Sequence, residues 1–391
     1  MRATVLAVCT ALIITVGSTA GAAQAQAAPV VLFQSGLSWP VQVGFVPDGR
    51  ILVNELFTGL VRVVSGNGLE PEPLLDLNAE LVSGETFGSG ARGGLLGLAL
   101  DPDYDTDPWV YVYYSYEAAN GTPWNRIQRF LETSGGVGSS EILIDNIPFG
   151  EDHNGGKLAF GPDEMLYATT GDTFYRPSLA QDLGTPAGKI LRIARNGSIP
   201  DDNPFPASPI FTLGHRNVFG IDFDPDTGTP YITENGPRSP DELNRLVPGG
   251  NYGWPNVIGI VGDSRYVDPI LEWDQIAPTG IVFYGGSRIP EWRGSLIVGD
   301  FNYGRLTRVI LADGGTRVAS QEVVFDLDAP VLDIQEGPEG SIYVTSPNSI
   351  LRVDESPTSI VLRVIALAGL VALAGVAPVL AIMLWYRVRR K

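Results

Sequence analysis

This sequence predicts an all-β fold, a six-bladed β-propeller, on three observations. A strand–turn–strand phrase built on a Pro-acidic turn occurs six times. The prolines of successive copies, at 47, 102, 162, 225, 290 and 338, lie 55, 60, 63, 65 and 48 residues apart, the length of a blade with loops. The runs between them are short, rich in β-branched and aromatic residues, and bounded by Gly, Pro, Asn and Asp. No long 3.6-residue apolar stripe interrupts them before the C-terminal end.

The copies share one plan. Val46-Pro47-Asp48-Gly49-Arg50 leads into Ile51-Leu52-Val53, and Leu100-Asp101-Pro102-Asp103 into residues 109–113. Phe160-Gly161-Pro162-Asp163 leads into residues 166–169, and Phe223-Asp224-Pro225-Asp226 into residues 230–233. Ile289-Pro290-Glu291 is the loosest copy, and Gly337-Pro338-Glu339-Gly340 is the last. A pair of β-sandwiches has no natural place for six matched phrases. In a propeller, loops of every blade converge on one mouth of the central channel, so a site there draws residues from distant parts of the chain.

The ends read as targeting segments. Arg2 precedes an uncharged run over residues 5–16, and Ala23-Gln24-Ala25-Gln26-Ala27 offers cleavage after Ala25 or Ala27, so residues 1–27 are predicted to be a secretory signal. Residues 364–386 carry no charge and lie between Arg363 and Arg387. As a helix they would reach ~35 Å, enough for a ~30 Å hydrocarbon layer. Trp385 and Tyr386 suit the interface, and the basic residues of 387–391 mark a cytoplasmic tail. The expected order is a signal over 1–27, a propeller over 28–353, a short link over 354–363, a single span over 364–386 and the tail. The propeller would then lie on the extracytoplasmic side of the cell membrane.

All 44 acidic residues fall between positions 28 and 358, with 20 of the 26 basic ones, so that stretch carries 20 − 44 = −24. Such a surface repels phosphate backbones and excludes nucleic acid as a partner. The one cysteine, Cys9, lies in the signal, which excludes disulfides and thiolate chemistry in the mature chain.

Two histidines are present. His153, in Asp152-His153-Asn154-Gly155-Gly156-Lys157, precedes the third phrase, and His215, in Gly214-His215-Arg216-Asn217, precedes the fourth. Their similar offsets place them at equivalent points of neighbouring blades, both near the channel mouth. Histidine is the commonest general base, and the two glycines after His153 would let a ligand approach the backbone. Spacing alone leaves a purely structural role equally open for each. The stretch 233–244, with residues 251–255, gathers carboxylates, amides and loop carbonyls that suit a hard cation such as calcium. Asp101, Asp103, Asp105 and Asp107 alternate but lack the closing Gly and Glu of a calcium loop, and read as a turn. No His/Cys cluster supports zinc, no Gly-rich loop sits between strand and helix, and no G-x-S-x-G occurs.

Several phrases together resemble the glucose/sorbosone dehydrogenase family. They are Gly93-Gly94-Leu95-Leu96-Gly97-Leu98, residues 153–162, Ala180-Gln181-Asp182-Leu183, Ala187-Gly188-Lys189-Ile190-Leu191-Arg192, Gly214-His215-Arg216-Asn217 and Asn251-Tyr252-Gly253-Trp254-Pro255. The likeness covers about residues 30–353. It implies a six-bladed propeller that oxidises an aldose at the anomeric hydroxyl, with pyrroloquinoline quinone and calcium as cofactors. By that resemblance His153 is the base and Arg216 its catalytic partner. Arg92, Asn217, Ala277, Pro278, Thr279 and Asn302 match cofactor-lining positions, and Gly236, Pro237, Glu242 and Tyr252 match calcium positions.

The pattern also departs. Arg92 stands where quinone-binding members have Gln, Asn302 where they have Lys, and Pro330-Val331-Leu332 where they have Arg-x-Arg for the cofactor's carboxylates. Two readings follow. One is a membrane-tethered sugar dehydrogenase passing electrons to a membrane acceptor. The other is a non-catalytic calcium-binding propeller for protein or carbohydrate recognition, as in the hedgehog-interacting relatives.

Overall fold

A computed structural model describes residues 30–82 and 93–355, all within one compact unit, Ala28–Ile360. The predicted signal, most of the link, the span and the tail lie outside the described residues, as does Arg92. No α-helix occurs among the described residues; three short 3-10 turns do, at Pro177–Gln181, Pro290–Trp292 and Asp313–Gly315.

Six antiparallel sheets follow one another along the chain. Blade 1 begins with Pro40–Phe45 and Ile51–Glu55, blade 2 with Leu95–Leu100 and Trp109–Glu117, blade 3 with Leu158–Phe160 and Leu166–Thr169. Blade 4 begins with Val218–Phe223 and Pro230–Glu234, blade 5 with Pro278–Tyr284 and Ser295–Asp300, blade 6 with Asp333–Glu336 and Ile342–Ser346. In every blade the Pro-acidic turn joins the first strand to the second. The acid has a job in that turn. Asp48 Oδ1 accepts from Arg50 N at 2.9 Å, Asp101 Oδ1 from Asp103 N at 3.0 Å, and Asp224 Oδ1 from Asp226 N at 2.9 Å. Each carboxylate mimics a main-chain acceptor within the turn.

Strand alternation sends successive side chains to opposite neighbours. In blade 2, Val110, Val112 and Tyr114 pack with Leu52 and Val61 of blade 1, whereas Tyr111 and Tyr113 pack with Leu158 and Leu166 of blade 3. Each blade–blade interface buries one such apolar cluster, and the last joins Tyr343 and Ile350 of blade 6 to Val43 and Ile51 of blade 1. The N-terminal strand Val30–Ser35 closes the ring by pairing antiparallel with Ser349–Val353 as the outer strand of blade 6.

Glycines on the first strands let neighbouring blades approach at the axis. A Cβ on Gly97 would stand 2.0 Å from Gly156 O, and one on Gly280 would stand 2.4 Å from Ile334 N. Gly280→Ala is expected to destabilise the fold by about 1–3 kcal/mol, the usual effect of overpacking. Thermal unfolding should show this as a midpoint lower by several degrees; an unmoved midpoint would mean that blades 5 and 6 do not meet there.

Candidate active site

At one mouth of the channel lies a cavity of about 460 Å³ with walls from all six blades, marked in order by Leu56, Leu96, His153, Arg216, Thr279 and Leu332. Trp39 and Phe301 lie nearly parallel on one wall, ring centres 6.5 Å apart.

His153 sits on the loop before blade 3 with φ 55°, a left-handed conformation sparsely used by residues with side chains. Its Nδ1 lies 2.7 Å from Asp172 Oδ1, and Asp172 follows the second strand of the same blade. An ionised carboxylate only accepts, so Nδ1 carries a proton, and in the neutral ring Nε2 is then the nitrogen with the lone pair. Phe174 packs edge-on against the imidazole at 5.0 Å. Asp172 is almost wholly buried, and its Oδ1 also accepts from Phe174 N at 2.8 Å. The site thus presents a histidine held in one tautomer by a carboxylate.

The two glycines after His153 do something other than expected. A Cβ on Gly155 would stand 2.7 Å from Thr169 O, and one on Gly156 would stand 2.4 Å from Leu96 Cβ. The close approach they permit is between protein segments, and it seats the histidine loop on blades 2 and 3.

His215 holds a corresponding place before blade 4, yet it is fully buried. Its Nε2 lies 2.8 Å from Thr212 Oγ1, its Nδ1 lies 2.9 Å from Glu234 Oε2, and Tyr252 stacks on the ring at 4.7 Å. Both nitrogens are engaged, so His215 takes the structural reading. It helps hold Glu234, whose Oε1 accepts from Arg216 N at 2.5 Å.

Arg216 and Asn217 line the cavity beside His153. Arg216 Nη1 donates to Asn235 O at 2.8 Å. Burial lowers its pKa from the usual guanidinium value, opposed by Asp172, Glu234, Asp241 and Asp152. The Oδ1 atoms of Asn217 and Asn235 are buried without a hydrogen-bond partner, which marks a place for a polar ligand. Ala277, Thr279 and Asn302 also line the cavity. Pro278 does not, because side chains alternate along the strand that starts there. Gly236 N and Ala277 N both donate to Asp241, at 2.9 and 2.8 Å, which ties the two loops together.

Behind this wall is a small cleft of about 10 Å³ lined by Gly236, Pro237, Glu234, Glu242, Tyr252 and Trp254. That is room for about one water-sized body. Glu242 Oε1 accepts from Gly259 N and Oε2 from Asn244 Nδ2, each at 3.0 Å. Burial, with the nearby Glu234, pushes its carboxyl up to about 7. The Tyr252 hydroxyl is already committed, donating to Arg245 O at 2.7 Å and accepting from Val247 N at 2.9 Å. Among the described residues no group of three or more His, Cys, Asp or Glu side chains is set to hold a metal, so a cation here would need main-chain carbonyls as well.

Lys157 projects into the cavity from blade 3 and pairs across the channel with Asp333, the first residue of blade 6. Both are buried. The residue before Asp333 is Leu332, which lines the cavity at the position where quinone-binding members have an arginine by the sequence resemblance.

A sequence profile of the Glucose / Sorbosone dehydrogenase family matches residues 37–352. The chain belongs to the glucose/sorbosone dehydrogenase family. A Synechocystis protein, slr1608, is 32% identical over 351 residues, covering 82% of this chain and 83% of its own. Quinoprotein glucose dehydrogenase B of Acinetobacter calcoaceticus is 34% identical over 260 residues, covering 59% of this chain and 53% of that one. The PQQ-bound aldose sugar dehydrogenase of Streptomyces coelicolor superposes with a TM-score of 0.71 at 31% identity, over 83% of this chain and 97% of that chain.

The local phrase around His153 of this glucose/sorbosone dehydrogenase family member carries the histidine but not its orienting partner. Asp172 is 19 positions from His153, and no local spacing links them. Trp254 was visible only as part of a family phrase, yet its indole reaches Asp172 from 82 positions away.

Proposed function

We propose that this chain oxidises an aldose at its anomeric carbon, with His153 as the general base. The supporting observation is the His153–Asp172 pair at a cavity mouth beside the half-buried Arg216. A sugar bound with its anomeric hydroxyl at Nε2 would give that proton to His153, and Asp172 would stabilise the imidazolium formed. Such positioned bases contribute about 10²–10⁴-fold. The Arg216 guanidinium would stabilise negative charge developing on the acceptor side.

Pyrroloquinoline quinone, when bound, supplies the hydride acceptor for the anomeric C–H. Arg216 brings the donors that quinone and carboxylate oxygens need, with Asn217, Ala277, Thr279 and Asn302 around it. The far end offers no free cation among the described residues, since Leu332 is apolar and Lys157 is neutralised by Asp333. Retention would therefore rest on the Arg216 end. Calcium suits the adjoining cleft, through Glu242 and the loop of Gly236 and Pro237. The sequence supports an exported chain tethered by residues 364–386, with a membrane electron acceptor in reach.

The full chain is tested with calcium, pyrroloquinoline quinone, a panel of aldoses and a redox dye. Dye reduction that requires both sugar and quinone supports the reading. Calcium binding without any dye reduction would instead favour a recognition propeller, in line with the missing carboxylate clamp.

The calcium cleft predicts a pH dependence. A carboxyl held above its unfolded value keeps its proton longer in the folded chain. Stability is therefore greatest at acid pH and falls as pH rises from about 4.5 to about 7, by on the order of 3 kcal/mol for Glu242. Asp222, on the first strand of blade 4 and also pushed up to about 7 by burial, adds a loss of the same sign. Melting temperature in chelator should fall across that range, and calcium should flatten part of the fall. Glu242→Gln should flatten it without calcium; an identical slope in that variant would remove Glu242 as the cause.

A further inference from the structure

Trp254 has no role in the chemistry so far, yet among the described residues it is the one whose side chain donates to the free side of Asp172. Its Nε1 donates to Asp172 Oδ2 at 2.7 Å, while Oδ1 serves His153 and Phe174 N. The tryptophan is itself held rigidly. Its N donates to Gly214 O at 3.0 Å, and its O accepts from Gln181 Nε2 at 2.6 Å. Gln181 is locked in turn by Asn251, whose Nδ2 donates to Gln181 Oε1 at 2.8 Å.

The geometry of the charges makes this contact consequential. The Arg216 guanidinium carbon lies 5.6 Å from the Trp254 ring centre, over its face. Arg216 and Asp172 attract each other electrostatically. The terminal torsion of an aspartate is broad, so a carboxylate anchored through one oxygen can turn. Turned towards Arg216, Asp172 would leave the His153 Nδ1 proton without its acceptor and would spend the arginine's charge.

We infer that Trp254 is a positioning residue that pins Asp172 on His153 and keeps it from pairing with Arg216. The relay runs Trp254 Nε1–H to Asp172 to His153 Nδ1–H, leaving Nε2 as the base. Its catalytic meaning rests on His153 being the base, as proposed above, but the pinning itself does not.

The test compares the full chain with Trp254→Phe, which keeps an aromatic face under Arg216 and deletes the donor. Two readouts are taken. Aldose turnover should show kcat reduced about 10–100-fold, the usual effect of losing an outer-shell orienting group, with KM within about twofold. Acylation of His153 by diethyl pyrocarbonate, followed by peptide mass, should slow severalfold because Nε2 is no longer held towards the cavity. His215 is fully buried and reports on folding, since it reacts only if the propeller opens. Acylation of His153 at an unchanged or faster rate overturns the inference. If no aldose supports turnover even in the parent chain, the dehydrogenase reading fails while the acylation result still decides the role of Trp254. Should Trp254→Phe expose His215, Trp254→His, which restores a ring N–H, decides instead: near-parental acylation of His153 supports the relay, and slow acylation in a folded protein overturns it.

Discussion

His153→Ala is expected to lower kcat and kcat/KM together by about 10²–10⁴-fold, since the base acts in the transition state. The substitution should leave the fold nearly unchanged. The imidazole contacts Asp172 and Phe174 at the cavity rim, and Asp172 keeps its bonds to Phe174 N and Trp254. Steady-state kinetics with a redox dye, paired with a thermal melt, separates the two effects. A variant with parental kcat would remove His153 from the mechanism, and only a large drop in midpoint would assign the loss to folding.

The second large effect concerns stability. Lys157 and Asp333 are buried against each other across the channel. Burial lowers the lysine's pKa and raises the aspartate's, so each charge depends on the other to remain ionised. Lys157→Met is expected to destabilise the protein by about 3–5 kcal/mol, because it leaves a buried carboxylate without its partner. Adding Asp333→Leu should recover most of that loss, since an apolar pair of similar volume often replaces a buried ion pair at little cost. Denaturant or thermal unfolding of the single and double variants measures the coupling, and additive losses would show that the two side chains do not act as a pair.

Much of the fold is written locally. The Pro-acidic phrase marks the turn between the first and second strands of every blade, and in blades 1, 2 and 4 a short carboxylate accepts a main-chain N–H within that turn. Blade closure is not local. Residues 30–35 precede blade 1 in sequence, and only the pairing of Val30 with Val353 and of Ser35 with Ser349 shows that they complete blade 6. The glycines after His153 show the limit of local reading differently. Their freedom was visible, but it serves packing against Thr169 and Leu96.

The two histidines separate what each level of description settles. By itself the sequence determined the blade number, the all-β class, the family, and the presence of His153, Arg216 and Asn217 in loops that precede blades. It also carries the reading of residues 1–27 and 364–386 as signal and span, which the described residues do not reach. Tertiary structure alone decided which histidine faces the cavity. His215 is caught between Thr212 and Glu234 and stacked on Tyr252, whereas among the described residues His153 meets a hydrogen-bonding partner on Nδ1 and none on Nε2. The physical reason is that a base is defined by its partners. Those partners are distant in sequence: Asp172 follows the second strand of the blade that His153 precedes and Trp254 comes from blade 4, so folding of one blade and its packing on the next bring them together.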